Sequence, residues 1–152
     1  MRRAYDLDDD IGTLLGDICD VLAEARCCAF LVDGFGQETW PVDIRTDLLV
    51  ILEQLPVIAE SIATGRDSFV VDFYEQGLQR FLLFQPQGTD FRVECTSATE
   101  WTPVPTTIVL PHSELVLMFV QLRDAFLRLA ESVCPHLASH PWLDEWARST
   151  SF

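Results

Sequence analysis

The residues best suited to metal chemistry are three potential ligands near the C-terminus, Cys134, His136 and His140. Zinc prefers thiolate and imidazole, but a zinc site needs three or four such ligands at a suitable spacing. No second cluster in the sequence supplies the rest. We therefore expect neither a metal nor another cofactor, and we interpret the two histidines as surface or helix-capping residues beside Pro135 and Pro141.

Nucleophilic catalysis would need a cysteine or serine held beside a base. The sequence has 5 cysteines and 3 histidines, but it contains no nucleophile elbow and no phosphate-binding glycine loop. The cysteines are odd in number and include no Cys-x-x-Cys pair, which favours reduced, mostly buried thiols over a disulfide framework. We expect a protein without enzymatic activity. A hydrolase with an unrecognised Cys/His pair is a remaining alternative.

Charge is the most informative feature of the composition. There are 24 acidic residues against 10 basic ones, all arginine, and the net charge is −14. A surface of this sign repels phosphate backbones and anionic lipids, so we expect neither nucleic acid nor membrane as a partner. It would attract a basic protein, although acidity that serves solubility alone is an open alternative. The absence of lysine and asparagine, whose codons are A-rich, indicates a high-GC bacterial genome.

Carboxylates are concentrated near the start of the chain, where an amphipathic helix is predicted over about residues 10–26. Its apolar residues recur at helical spacing, and an acidic stripe runs along the opposite side. Asp8 or Asp9 is the expected N-cap. We expect the carboxylates of this region to be exposed, either as a solvated face or as a docking surface for a cationic partner. They are Asp10, Asp17, Asp20 and Glu24 in the stripe, followed by Asp33 and Glu38.

An antiparallel β-meander over about residues 68–96 organises the predicted fold. Three β-rich runs are separated by Gln76-Gly77 and by a turn at 86–89. Alternate residues of the first and third runs are apolar, which gives a sheet with one apolar face. The middle run, 78–84, is apolar at nearly every position, and this predicts a central strand covered on both faces. Residues 106–110 also have strand character.

Helical periodicity precedes the meander. A central helix is predicted over about residues 47–64, with Thr46 as N-cap and Gly65 just past its end. Pro56 lies inside it and should cause a kink or a break, because proline lacks the backbone N–H. The apolar run 27–32 predicts a short strand, and 40–44 a second extended piece.

Helical periodicity also follows the meander. A long helix, expected to be the most buried one, is predicted over about residues 114–133 with Ser113 as its N-cap. A short closing helix over about residues 141–148 would place Trp142 and Trp146 on one face. These two rings are either core residues or an aromatic binding patch.

The patterns together predict one α+β domain over residues 1–152, with an antiparallel sheet of four to six strands covered by helices. No apolar run is long enough to cross a membrane. The first residues carry two arginines but no apolar core of a secretory signal. We therefore expect a cytoplasmic protein.

Two segments carry a resemblance to a known class of protein: Asp72-Phe-Tyr-Glu-Gln-Gly-Leu-Gln-Arg80 in the meander and His140-Pro-Trp-Leu-Asp-Glu-Trp146 in the tail. With the acidic first helix and the long helix, this layout resembles small acidic immunity proteins of bacterial polymorphic toxin systems. The resemblance implies a non-enzymatic inhibitor that binds and neutralises a cognate toxin domain. A basic toxin would complement the acidic surface.

On this hypothesis the partner-binding residues are the six carboxylates named above, together with Trp142 and Trp146. The alternative is a small-ligand or regulatory binding domain that uses the cleft between the apolar sheet face and the helices.

Overall fold

The structure, a computed structural model, describes residues 5–7, 9–65 and 67–152. A four-stranded antiparallel sheet, with its strands adjacent in sequence order, forms one layer of the fold. The strands are β1 (Phe69–Phe73), β2 (Arg80–Gln87), β3 (Asp90–Ser97) and β4 (Thr107–Pro111). The helices are α1 (Ile11–Ala25), α2 (Leu49–Thr64), α3 (His112–Val133), α4 (Pro135–Ala138) and α5 (Pro141–Ser149), and a π-helical turn (Ile44–Leu48) leads into α2. The predicted α+β class is confirmed.

The inner face of the sheet is apolar and buried, because alternate residues of each inner strand point toward the helices. Phe69 in β1 lies opposite Phe84 in β2, and their rings stack with centroids 4.6 Å apart. Buried side chains from α1, α2, β1, β2, β3, α3 and α5 form one continuous cluster. This cluster fixes the sheet against the helices.

The outer face of the sheet is more open than the sequence predicted. Strand β2 alternates, with Leu82 buried and Phe81 retaining 40% of its exposure. The prediction that residues 78–84 are covered on both faces is therefore wrong. The strand also begins and ends later than expected. Pro86, which was expected in the turn, pairs with Phe91, and the tight turn is formed by residues 88 and 89.

Helix α1 has the predicted range and buries one apolar side, including Leu14, Leu15 and Ile18. Its N-cap is Asp10, whose side chain accepts the backbone N–H of Thr13 at 3.1 Å. The Thr13 hydroxyl accepts the N–H of Asp10 in return, so the two residues form a capping box. The expected caps were Asp9, which is not the one used, and Asp8, which lies outside the described residues.

The central helical segment begins earlier than predicted, with a π-helical turn. Asp43 rather than Thr46 is its cap, since the Asp43 carboxylate accepts the backbone N–H of Thr46 at 2.8 Å. Gly65 ends α2 with a φ of 64°, as predicted. Pro56 lies within a helix that continues past it without a break.

Helix α3 begins at His112, directly after β4, and no side chain caps it, so the prediction of Ser113 as N-cap is wrong. It is also not the most buried helix. Leu117 and Met118 are 54% and 55% exposed, because α3 packs through a narrow stripe on one side. That stripe consists of Leu115, Phe119, Phe126 and Ala130.

The segment between α1 and the π-helical turn forms no regular strand, so the predicted strand at 27–32 is wrong. Of the extended piece expected at 40–44, Asp43 is extended, with φ −132° and ψ 166°, whereas Ile44 already belongs to the π-helical turn. Its backbone hydrogen bonds include a local one, from the N–H of Trp40 to the carbonyl of Val32 at 2.9 Å, and a distant one, from the N–H of Val104 to the carbonyl of Phe35 at 2.8 Å. It packs through side chains, with Phe35 and Trp40 buried in the core cluster.

Candidate partner-binding surface

The predicted acidic stripe lies along α1, but some of its carboxylates are engaged within the chain. Asp20 forms an ion pair with Arg45, with 3.2 Å between Oδ1 and Nη1. Asp17 is half-buried and accepts a hydrogen bond from the Tyr5 hydroxyl at 2.9 Å. Glu24 is exposed. Contacts within the chain therefore engage part of the negative charge in the middle of the stripe. This part of the stripe should attract a basic partner less strongly than the sequence suggests.

Asp10 lies beside a groove of about 420 Å³ between α1, α2 and α5. Asp9, Asp10 and Glu145 line the groove, and none of the described residues that line it is basic. Trp142 and Trp146, four residues apart on α5, form part of its wall, as predicted for a shared face. We call this feature the acidic groove. Carboxylates beside aromatic rings suit a guanidinium or ammonium group.

The two tryptophans differ in what they can offer a partner. Trp142 is half-buried, and its ring packs against Tyr5 and His140 with centroids 5.4 and 4.6 Å apart. Trp146 is only 4% exposed, and its ring packs edge-on against Phe126 at 5.7 Å. Trp142 can therefore contact a bound group, whereas Trp146 is mainly a core residue that supports the groove wall.

Glu53, an exposed residue of α2, connects the acidic groove to further carboxylates. Burial and the charge of Asp10 raise the pKa of Glu53, so these two carboxylates lie close enough to interact. The pKa of Tyr74 is raised as well, by burial and then by the charges of Glu53, Glu75 and Asp72. Tyr74 is 55% exposed. We call Glu53, Tyr74 and Glu75 the Tyr74 rim.

Sequence reasoning missed the Tyr74 rim and Glu145. Glu53 was visible as a polar residue of the central helix, and Glu145 as a neighbour of Trp142 in the tail. No local pattern places α2, the end of β1 and α5 together, since that proximity depends on tertiary packing. The structure therefore brings Asp10, Trp142 and Trp146 together and adds acidic residues that the sequence did not connect with them.

Asp33 and Glu38 are exposed, as expected, on the irregular segment that follows α1. Neither lines the acidic groove. Asp33 instead lines a separate apolar cavity over the inner face of the sheet. These two carboxylates are therefore not part of the groove surface.

The residues considered for metal binding have other surroundings. Cys134 is buried and His136 is exposed, while Nδ1 of His140 accepts the backbone N–H of Trp142 at 3.1 Å and so caps α5. Within residues 5–7, 9–65 and 67–152, no group of three or more His, Cys, Asp or Glu side chains is placed to hold a metal ion.

The five cysteines are free thiols. Burial raises the pKa of Cys19 to about 12. It also raises the pKa of Cys95 to about 11, although the nearby charge of Arg80 acts in the opposite direction. A nucleophilic cysteine needs a thiolate, which a raised pKa disfavours. These two thiols are therefore suited to packing rather than to nucleophilic attack.

None of the helices in the described part of the chain is both long and apolar enough to span a membrane. No protein-family model matches this chain, and no significant match is found among curated proteins or solved structures.

Proposed function

We propose that this chain is a non-enzymatic binding protein that recognises a basic protein partner through the acidic groove and the Tyr74 rim. More specifically, we propose that the chain is an immunity protein that binds and neutralises a cognate toxin domain in the cytoplasm of a high-GC bacterium. The observation that carries the proposal is a groove in which Asp10 and Glu145 lie beside an aromatic wall of Trp142 and Trp146, with no basic side chain among the described residues that line it.

Acidic side chains outnumber basic ones among the described residues of the groove, which supports an external cation as its occupant. Asp20 on the α1 stripe has Arg45 within the chain, whereas no described basic residue lines the groove. The raised pKa of Glu53 indicates repulsion from Asp10 in addition to burial. A partner's arginine or lysine placed there would relieve this repulsion. Complementary charge would also speed the encounter of the two proteins.

The surface also has the composition of a binding centre. Tyrosine, tryptophan and arginine are the residues that contribute most to protein interfaces, and charged rims add specificity. Tyr74 is more than half exposed among carboxylates, and Trp142 borders the groove. A basic partner would therefore meet aromatic anchors within an acidic surface.

The test uses the product of the neighbouring gene, expected to be a large secreted protein with a variable C-terminal domain. Association of that domain with the full chain is measured as ionic strength rises from about 0.05 to 0.5 M, which shortens screening from about 14 to about 4 Å. The double variant Glu53→Arg and Glu145→Arg should associate at least about tenfold more slowly than the natural chain at low salt. It should also fail to protect cells that express the toxin domain.

The matched control is Glu100→Arg with Glu131→Arg, which makes the same change in net charge at exposed positions outside the groove and the Tyr74 rim. It should retain most of the association rate. Equal losses in both double variants would show that net charge alone governs the encounter. If no neighbouring gene product binds at all, the immunity assignment is wrong.

A further inference from the structure

A second cavity, of about 210 Å³, lies between the inner face of the sheet, α3 and the irregular segment that follows α1. We call it the apolar cleft. Its exposed lining residues are Leu31, Asp33 and Met118, so its opening lies between that segment and α3. Asp33 carries the only ionisable side chain among the described residues that line it. The rest of its surface is aliphatic or aromatic.

The wall opposite the sheet is built from an unusual backbone. Phe35 has a φ of 55° and lies between two glycines with φ values of 124° and 87°. Aromatic residues rarely adopt this left-handed conformation, and it persists only where surrounding contacts hold it. Here the carbonyl of Phe35 accepts the N–H of Val104 at 2.8 Å, and the indole N–H of Trp40 donates to the carbonyl of Gly34 at 3.1 Å. The strained loop fixes the Phe35 ring in the wall of the cleft.

The size and lining of the cleft define the class of ligand that fits it. Dry apolar cavities of roughly 150 Å³ bind benzene, so a cleft of this size accommodates roughly six to ten heavy atoms. Asp33 at the opening favours a head group that is cationic and donates hydrogen bonds. We propose that the apolar cleft binds a small apolar amine, with its hydrocarbon part against the sheet and its ammonium group beside Asp33. This site is separate from the acidic groove.

Isothermal titration calorimetry with hexylamine, hexanol and hexanoate tests both parts of this inference on the full chain. Hexylamine should bind more tightly than hexanol, and hexanoate most weakly, with a negative heat-capacity change from apolar burial. Asp33→Asn should weaken the binding of hexylamine by up to about fivefold, since an exposed ion pair contributes little more than this to affinity. It should leave the affinity for hexanol within about twofold of that of the natural chain. Binding of hexylamine that is unaffected by Asp33→Asn would overturn the head-group assignment.

Blocking the cleft separates specific binding from general attraction of amines to an acidic protein. Met118 is 55% exposed at the opening, so Met118→Trp should fold normally and close the cleft. This substitution should weaken the binding of both hexylamine and hexanol by at least about tenfold, because burial of the hydrocarbon chain supplies most of the affinity. The control Leu117→Trp, on the adjacent exposed position outside the lining, should bind as the natural chain does. Equal binding by Met118→Trp, or no binding of any probe, would overturn the inference.

Discussion

The indole N–H of Trp146 in α5 donates to the backbone carbonyl of Leu52 in α2 at 3.0 Å, across 94 residues of sequence. Pro56 lies four residues after Leu52 and has no N–H, so the regular helical hydrogen bond to this carbonyl cannot form. A buried carbonyl without a partner is costly. Trp146 therefore supplies the hydrogen bond that Pro56 cannot make, and α2 continues through the proline without a break.

Trp146→Phe should lower the free energy of unfolding by about 1 to 3 kcal/mol, because it leaves the Leu52 carbonyl buried without a partner. Pro56→Ala restores a helical N–H to that carbonyl. In a double-mutant cycle followed by urea denaturation, Trp146→Phe should therefore cost clearly less in the Pro56→Ala background. Additive effects of the two substitutions would show that this hydrogen bond does not couple them.

Gln54 protects the free edge of the sheet. Its side-chain amide donates to the carbonyl of Asp72 at 2.8 Å, and its side-chain oxygen accepts the N–H of Asp72 at 2.9 Å. Asp72 lies in β1, an edge strand whose other side pairs with β2. Gln54 therefore takes the place of a neighbouring strand at that position.

Gln54→Leu should lower the free energy of unfolding by about 1 to 3 kcal/mol, since both backbone groups of Asp72 lose their partner. It should also promote association of chains through the open edge of β1. Urea denaturation and size-exclusion chromatography at increasing concentration measure the two effects. Gln121→Leu, on an exposed position of α3, is the control and should change stability by less than about 0.5 kcal/mol. Comparable behaviour of the two variants would contradict the protective role of Gln54.

The parts of the fold that could be predicted from sequence are those set by local periodicity. Helix α1 and the meander were predicted because the spacing of their apolar residues depends on the element alone. Gly65 could also be recognised from local sequence, because a helix often ends at a residue with left-handed backbone conformation and glycine adopts it readily. The long helix was predicted from the same kind of periodicity, and its residue Phe126 lies in the core at 2% exposure.

The errors and omissions arise where tertiary contacts decide the outcome. Residues 27–32 have the composition of a strand, yet they join no strand and pack on the core through side chains such as Phe30 and Val32. A kink or a break was expected at Pro56, and the helix does not break there. The hydrogen bond from distant Trp146 to the carbonyl of Leu52 could not be anticipated from the sequence. The acidic groove joins α1, α2 and α5, so Asp10 and Glu145 become neighbours only when those helices pack.

Arg80 is buried on the inner face of the sheet, at 3% exposure, between two tryptophan rings. The central carbon of its guanidinium group lies 4.4 Å from the ring centroid of Trp40 and 3.6 Å from that of Trp101. Its Nε and Nη1 atoms have no hydrogen-bond partner among the described residues, and burial lowers the pKa of this residue. Burial removes the guanidinium group from water, and no carboxylate among the described residues pairs with it. Stacking on the two rings thus offsets part of this desolvation cost.

Arg80→Met should leave the free energy of unfolding within about 1 kcal/mol of the natural value or raise it. The lost cation–π attraction, of about 2 kcal/mol, is offset by removal of a buried charge with unsatisfied donors. Arg80→Lys should lower the free energy of unfolding by about 1 to 3 kcal/mol, because a compact, strongly hydrated ammonium group cannot stack on both rings. Guanidinium denaturation of the two variants provides the measurement. A loss above about 3 kcal/mol in Arg80→Met would mean that ring stacking outweighs desolvation.

Asp47 is the buried carboxylate of the π-helical turn, at 4% exposure. Its Oδ2 accepts the N–H of Asp43 at 2.9 Å, and its Oδ1 has no hydrogen-bond partner in the described part of the chain. Burial raises the pKa of Asp47; the hydrogen bond from Asp43 opposes this shift, and the charges of Asp43 and Glu75 add to it. The folded chain therefore binds this proton more tightly than the unfolded chain does.

Because the pKa of Asp47 is higher in the folded state, its ionisation destabilises the fold, and stability falls as pH rises from the unfolded pKa, near 4, through the folded pKa. Asp47→Asn keeps the acceptor for Asp43 and removes the charge. It should be more stable than the natural chain at pH 7, and the difference should shrink toward zero as the pH falls to about 4. Urea denaturation across this range measures the difference, and Glu38→Gln, at an exposed position, should show none. A difference between Asp47→Asn and the natural chain that does not change with pH would exclude the buried charge as its cause.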